Sequence, residues 1–164
     1  LGAENQGWTV AKTLLGDERL MVSRVAENKR ILARVLRLLK DIGLEDPALA
    51  AKAAQIEIRL TALEATALRL LSTFDGGGKV GAEPSMLKLQ GSQLVQVQDQ
   101  LLFEIAGLYG LPLDAESRQT PNLPIYHDTV DMIGSALFHH RGYTIAGGAS
   151  EVQRNIIAQQ VLGL

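Results

Sequence analysis

Residues 46–70, DPALAAKAAQIEIRLTALEATALRL, hold the clearest helical pattern in the chain. Asp46 is a good N-cap residue, and Pro47 suits the first helical position. Apolar residues recur along the segment at steps of four and three, namely at Leu49, Ala53, Ile56, Leu60, Leu63, Ala67 and Leu70. Because this spacing places all seven on one side of a helix, the segment predicts a long amphipathic helix that packs against other helices.

Helical patterns also occupy most of the chain on both sides of this segment. Good helix formers dominate, aromatic residues are only 4% of the composition, and alternating strand patterns are nearly absent. Gly43 is expected to end the helix that precedes Asp46. The predicted helices cover residues 7–40, 47–75, 84–109, 125–140 and 150–162, with an irregular connection over residues 110–124. These patterns predict an all-α fold, an up-down four-helix bundle with an extra C-terminal helix.

Size and composition narrow the class of protein. A length of 164 residues suits a single domain with one core, so residues 1–164 are expected to form one helical-bundle domain. The net charge of −2 gives no electrostatic case for nucleic-acid binding, and no apolar run is long enough to span a membrane. There is no Cys, which fits a cytoplasmic location. The chain begins at Leu1 without Met, so we expect a piece of a longer subunit.

The C-terminal segment contains a glycine pair followed by a helix signal. Gly147 and Gly148 lack a Cβ, so a flat ligand can approach the main chain there. The spacing Ser150-x-x-Gln153 predicts a capping box at the start of the closing helix. Taken alone, that motif favours a well-capped helix after a tight turn over a ligand site.

Two further groups of polar residues are candidate sites. Glu18 lies in Gly16-Asp17-Glu18-Arg19 beside the apolar stripe of the first predicted helix, where a shielded carboxylate would suit a general base. Spacing alone favours a solvated helix face for it. His139-His140-Arg141 gives only a weak metal signal, and a cationic helix end that interacts with the helix dipole is favoured, so no metal site is predicted.

Three stretches together resemble the acyl-CoA dehydrogenase family, in the order in which that family carries them. Residues 144–158, TIAGGASEVQRNIIA, resemble its C-terminal signature. Residues 84–94, PSMLKLQGSQL, are similar to a second family stretch, and residues 7–19 resemble the start of its C-terminal helical domain. The resemblance spans nearly the whole chain.

The resemblance implies a flavoenzyme domain. In this family the C-terminal helical domain follows an N-terminal helical domain and a middle β domain, neither of which is within residues 1–164. It implies FAD as cofactor, an acyl-CoA thioester as substrate, and an electron-transfer flavoprotein as acceptor. It also implies dimer and tetramer contacts through the bundle, in a homo-oligomer or a hetero-oligomer. The isolated piece is expected to be inactive.

The resemblance also assigns site residues. Many family members carry the base in the last loop, where this chain has Gly147, which has no side chain. A branch similar to isovaleryl-CoA dehydrogenase instead has a Glu on the first helix of this domain, and Glu18 matches it as the catalytic base. The implied substrate-binding residues are Gly16, Asp17, Arg19, Gly147 and Gly148. The implied cofactor-binding residues are Arg37, Ala149, Ser150, Glu151 and Gln153.

Departures from the family pattern keep a second function open. The family element Gln-x-x-Gly-Gly reads Glu104-Ile-Ala-Gly-Leu108 here, and a Thr of the last loop is Ala149. Some family members work as two different subunits, of which only one holds FAD and the base. The chain therefore also fits a non-catalytic structural subunit of a hetero-oligomeric acyl-CoA dehydrogenase. A helical interaction module unrelated to flavin is the third alternative.

Overall fold

A computed structural model describes residues 2–11, 23–43, 45–77, 81–111, 130 and 132–164 of the chain. Within these residues all regular structure is helical, which confirms the predicted all-α fold. The main helices are α1 (Val25–Ile42), α2 (Pro47–Asp75), α3 (Pro84–Ala106), α4 (Ile133–His139) and α5 (Ser150–Ile156). Short 3-10 turns follow α3 and α4, and a π turn, Ile157–Val161, follows α5. No helix of the described part is long and apolar enough to cross a membrane.

Helix α2 forms as its sequence predicts. Asp46 lies in extended backbone and its Oδ1 accepts from the backbone N–H of Ala48 at 2.8 Å, which is N-capping worth about 1 kcal/mol. Pro47 takes the first helical position. All seven apolar residues of the predicted stripe are buried. The helix therefore joins the bundle through the single seam that the four-and-three spacing indicates.

Helix α3 lies at the centre of the bundle and packs against α1, α2, α4 and α5. The apolar side that its spacing predicts consists of Leu87, Leu94, Val97, Leu101 and Ile105. Four of these are buried in the common core, and Val97 is partly buried against it. A second face of the same helix is also buried but is polar. The helix ends at Ala106 and continues as the 3-10 turn Gly107–Gly110, so its predicted end near residue 109 is nearly right.

The prediction of one continuous helix over residues 7–40 is wrong. Residues 7–11 are helical, but the chain turns at Ser23 and Arg24, and α1 begins only at Val25. Arg24 has a left-handed backbone with φ 52°, and its carbonyl oxygen accepts both the main-chain N–H and the side-chain amide of Asn28. The turn brings the Ser23 carbonyl against α3 at Gly91, where a Cβ would overlap it. The predicted stop at Gly43 is confirmed, because its left-handed N–H donates to the Lys40 carbonyl.

The predicted fourth helix over residues 125–140 is also interrupted. Met132 is left-handed with φ 63° and is the N-cap of α4, its carbonyl accepting the N–H of Ala136 at 2.8 Å. A change of backbone conformation at Met132 leaves the apolar pattern of the sequence unchanged, so the spacing does not reveal it. Most of the expected irregular connection, residues 112–124, lies outside the described residues. The closing helix has the predicted extent, since α5 and its π turn reach Val161.

Candidate functional site

A glycine loop, residues 144–149, connects α4 and its 3-10 turn to α5. Gly147 and Gly148 adopt left-handed conformations with φ 71° and φ 103°. A side chain is strained in either conformation, and a Cβ on Gly148 would also overlap Nε2 of Gln153. Both positions are half-buried, so the loop offers main chain without side chains at the protein surface.

A lysine of α3 holds this loop from inside the bundle. Lys88 Nζ donates to the carbonyl oxygen of Gly148 at 2.6 Å and to that of Thr144 at 3.3 Å. The Lys88 side chain is 0% exposed. Burial lowers the pKa of Lys88 below its ordinary value, nearby Arg24 lowers it further, and Glu151 opposes the shift. Two carbonyl groups of the loop thus face inward toward a buried ammonium group.

The predicted capping box at the start of α5 is wrong. The N-cap is Ala149, which has no side-chain cap. Ser150 Oγ instead donates to the Thr144 carbonyl at 3.3 Å, and Gln153 Nε2 donates to the Gly147 carbonyl at 3.3 Å. Because the glycine conformations turn these carbonyl groups inward, both side chains bond to the loop and not to the helix end. Ser150 and Gln153 are accordingly almost fully buried.

A second group of polar side chains, the charged cluster, joins the start of α1 to α3 and to the turn before the loop. It consists of Arg24, Glu27, Asp99, His140 and Tyr143. Arg24 pairs with Glu27 at 2.6 Å and lies over the Tyr143 ring, 3.5 Å from its centroid. The Tyr143 hydroxyl donates to Glu27 at 3.2 Å, and His140 Nδ1 lies 2.7 Å from Asp99 Oδ2. The cluster therefore fixes the chain that enters the loop.

One of the two adjacent histidines, His140, belongs to the charged cluster. His140 is the residue that ends α4, and its ring contacts Asp99 and the Tyr143 ring. His139 lies in the last turn of α4, and its ring packs edge-on against the rings of His140 and Tyr143. Among the residues that the structure describes, no three His, Asp or Glu side chains are grouped as metal ligands are.

Replacing Asp99 with Asn is expected to change how stability depends on pH. Burial raises the pKa of Asp99 above its ordinary 3.8, and the bond to His140 opposes this. The folded state therefore binds more protons than the unfolded state above pH 3.8, and this carboxyl makes the wild-type protein less stable as pH rises through its raised pKa. Asp99→Asn removes that contribution.

Urea unfolding of both proteins from about pH 4 to about pH 8 measures the effect. The unfolding free energy of the wild type minus that of Asp99→Asn should fall as pH rises and then level off. Asp75→Asn, at an exposed aspartate that ends α2, is the control and should give a nearly constant difference. A constant difference for Asp99→Asn as well would contradict the prediction.

The predicted site residues separate into three groups. Gly147, Gly148, Ala149, Ser150, Glu151 and Gln153 are together at the loop and the first turn of α5. Arg37 is exposed on α1, and at 1.5 Å per residue it lies ~20 Å along the helix from Arg24, so the chain does not bring it to the loop by itself. Gly16, Asp17, Glu18 and Arg19 lie outside the described residues. Their roles stay predictions.

Sequence reasoning missed the buried polar face of α3. The face carries Lys88, Ser92 and Asp99. Elsewhere on α3 Gln98 is also buried; its Nε2 donates to Asn28 Oδ1 at 2.6 Å, and Asn28 in turn donates to the Gly91 carbonyl at 3.2 Å. Asn28 and Gln98 are both 0% exposed. The available signal was the helical spacing of Lys88, Ser92 and Asp99, which places three polar residues along one side of α3.

Comparison with known families and proteins identifies relatives of this chain. Residues 5–162 match the family model described as acyl-CoA dehydrogenase, C-terminal domain. The chain belongs to the acyl-CoA dehydrogenase family. Acyl-CoA dehydrogenase FadE34 of Mycobacterium tuberculosis is 27% identical over 167 residues, and acyl-CoA dehydrogenase IpdE1 of Mycolicibacterium smegmatis is 27% identical over 169 residues. Each match covers 100% of this chain but only 20% and 38% of the respective relative.

Solved structures share the fold. A structure of the Tcur3481-Tcur3483 steroid ACAD matches with a TM-score of 0.82 at 22% identity and covers 99% of this chain and 41% of that chain. The ChsE4-ChsE5 complex from Mycobacterium tuberculosis gives a TM-score of 0.74 at 24% identity, with coverage of 99% and 42%. At these identities the likeness concerns the fold alone. It confirms the helical architecture of an acyl-CoA dehydrogenase C-terminal domain.

Proposed function

We propose that the full-length subunit catalyses FAD-dependent α,β-dehydrogenation of an acyl-CoA thioester. In this proposal residues 1–164 supply part of the FAD and substrate site and the oligomer contacts. The observation that carries it is the glycine loop, because it is rigidly held, lacks side chains at Gly147 and Gly148, and lies in a chain of the acyl-CoA dehydrogenase family. A cytoplasmic location and an electron-transferring flavoprotein as acceptor complete the proposal.

The reaction requires removal of a proton from the α-carbon and of a hydride from the β-carbon. FAD, when bound, supplies the acceptor for the hydride. Gly147 has no side chain, so the loop cannot accept the proton. Glu18 is the proposed base, and the α-proton moves to one of its carboxylate oxygens.

The glycine loop contributes position, not proton transfer. Its main chain at Gly147 and Gly148 is open to close approach by the thioester or by a flat ring. Bonds from buried side chains fix the loop before any ligand arrives, so little reorganisation is needed on binding. The side chains of Ser150 and Gln153 bond to the loop. The main-chain N–H of Gln153 donates to the Ala149 carbonyl at 3.0 Å, so a cofactor contact at Gln153 would require one of these bonds to break.

The described residues fit FAD at this place. Gly147 and Gly148 are half-buried and carry no side chain, so an isoalloxazine ring can approach their main chain. The space that a Cβ of Gly148 would take is filled from inside by Gln153. Glu151 is the carboxylate in the first turn of α5. Its side chain is 79% exposed and is therefore solvated. Arg37 is exposed on α1, and a planar guanidinium suits a pyrophosphate brought by a neighbouring subunit.

The flavin content of the purified full-length subunit tests the proposal. We expect a yellow protein that holds FAD and reduces an electron-accepting dye when an acyl-CoA is added. The absorbance spectrum and the rate of dye reduction measure both properties. A subunit that stays colourless with added FAD, alone and together with any partner subunit, would refute the proposed activity.

A non-catalytic subunit is the second candidate, and one observation favours it. Glu104, at the position of the family's Gln, is half-exposed and is paired with Lys52, with N–O distances of 2.6 and 2.7 Å. The ion pair with Lys52 stabilises Glu104 as a charged residue at the surface, where the family pattern has the neutral amide of Gln. ChsE4-ChsE5, which shares the fold of this chain, is a complex. FAD that is found only in a co-purified complex, with the base on the other protein, would favour this candidate.

A further inference from the structure

We propose that Lys88 is the positioning residue of the glycine loop. Its ammonium group fixes the carbonyl groups of Thr144 and Gly148 and so sets where Gly147 stands relative to the acyl-CoA thioester. The part that concerns the thioester rests on the proposed function. The attachment of the loop to Lys88 rests on the geometry of this chain alone.

The burial of Lys88 makes the loop its necessary partner. A charged amine removed from water is costly unless hydrogen bonds or an opposite charge compensate it. Lys88 is 0% exposed, and no carboxylate of the described residues lies within ion-pair distance of it. The acceptors that compensate it are the two loop carbonyl groups. Displacing the loop would leave the ammonium group buried without them.

The loop in turn depends on Lys88 for its position. Within the described residues the Gly148 carbonyl receives its side-chain hydrogen bond from Lys88 alone, whereas the Thr144 carbonyl has a second donor in Ser150. The bonds from Ser150 and Gln153 are both 3.3 Å long and come from neutral groups. A charge-assisted bond of 2.6 Å is roughly twice as strong as a neutral one. Lys88 is therefore the principal restraint on Gly148, and through it on Gly147.

Lys88 also links the loop to the central helix. It lies on α3, which packs against α1, α2, α4 and α5, so its Nζ is carried by the helix that the other four surround. A loop that is held by a rigid helix keeps its geometry better than one held only by its own turns. The two kinds of residue thus have different roles. The glycines let a ligand approach the main chain, and Lys88 fixes the position of the loop.

Hydrogen exchange in the full-length subunit tests the attachment. The amides of Ile145, Ala146 and Gly148 are bonded within the turn and report its opening. We expect Lys88→Met to speed exchange in peptides covering residues 142–149 about tenfold, with peptides of α2 unchanged. Lys29→Met, at a half-exposed lysine paired with Glu64, is the matched control and should leave loop exchange at the wild-type rate. Equal loop exchange in Lys88→Met and wild type would overturn the proposal.

Steady-state kinetics test the positioning of substrate. Per flavin-loaded enzyme, Lys88→Met should raise KM for the acyl-CoA about tenfold with a smaller change in kcat, and Lys88→Arg should restore part of the loss. A purely structural role would lower the amount of loaded enzyme and leave KM unchanged, and that result would overturn the proposal. If Lys88→Met does not fold, Lys88→Gln, which keeps a donor without the charge, takes its place in both measurements.

These outcomes are separable from failure of the proposed function. The exchange measurement needs neither substrate nor turnover, so it judges the attachment of the loop even in a subunit without dehydrogenase activity. The proposed function fails on absence of FAD or of dye reduction in the wild type. The inference fails on an unchanged loop or an unchanged KM in Lys88→Met.

Discussion

Replacing Glu18 with Gln in the full-length subunit is expected to lower kcat/KM for an acyl-CoA by at least about a hundredfold. General-base catalysis by a positioned side chain contributes roughly 10²–10⁴-fold, and an amide cannot accept the α-proton. Gln keeps the size of Glu, so binding of substrate and FAD should change little. Dye-coupled rates at several substrate concentrations, with flavin content as the reference, measure the effect.

Glu57→Gln is the matched control for this experiment. Glu57 is exposed on α2 and belongs to no predicted site, so its replacement should leave the rate unchanged. The assignment of Glu18 is wrong if Glu18→Gln dehydrogenates the substrate at the wild-type rate. In that case Gly147 still excludes the loop as the source of the base, and the base belongs to another residue or another subunit.

Replacing Gly91 with Ala is expected to destabilise the protein by about 3 kcal/mol, the upper part of the usual range for overpacking. A Cβ at Gly91 would overlap the carbonyl oxygen and carbon of Ser23. Both partners are main chain, one within α3 and the other at the turn before α1, so neither can move aside by a rotamer change. Part of the strain should pass to Asn28, which donates to the Gly91 carbonyl.

Urea unfolding measures this loss, with Gly142→Ala as the control. Gly142 has no atom within 4 Å of its would-be Cβ, so Ala there should be nearly neutral. Equal stability of the two variants would show that the turn at Ser23 does not approach α3 as the structure has it.

Sequence patterns within a single segment predicted the parts of the fold that depend on interactions between residues close in the sequence. In α2 the cap at Asp46, the first-turn Pro47 and the apolar seam are all contained in one segment, and all three are confirmed. The breaks at Arg24 and Met132 could not be predicted in this way. Both are left-handed residues other than glycine, and the one at Arg24 accompanies a contact with α3, far away in the sequence.

The sequence predicted that the glycine pair forms a loop before the closing helix, and the structure has this loop. The role of the loop as a ligand site stays a prediction. The side chains that hold the loop were misassigned, since Ser150 and Gln153 matched a helix-capping pattern. A lysine between two leucines is typical of the solvated flank of a helix, so the sequence alone does not single out Lys88. Only a helix surrounded by others can bury a polar face as well as an apolar one, and that is a property of the assembled bundle.

The buried polar residues of α3 also restrict how the helices can be aligned. Lys88 meets the loop near one end of α3, while Gln98 and Asp99 meet Asn28 and His140 farther along. A slide of α3 by one turn, about 5.4 Å, would separate all these pairs at once and leave their buried polar groups unpaired. Apolar contacts alone tolerate such a slide, because one leucine can replace another. The bundle therefore has a single helical register, and the domain should fold to one ordered packing and not to an ensemble of interchangeable ones.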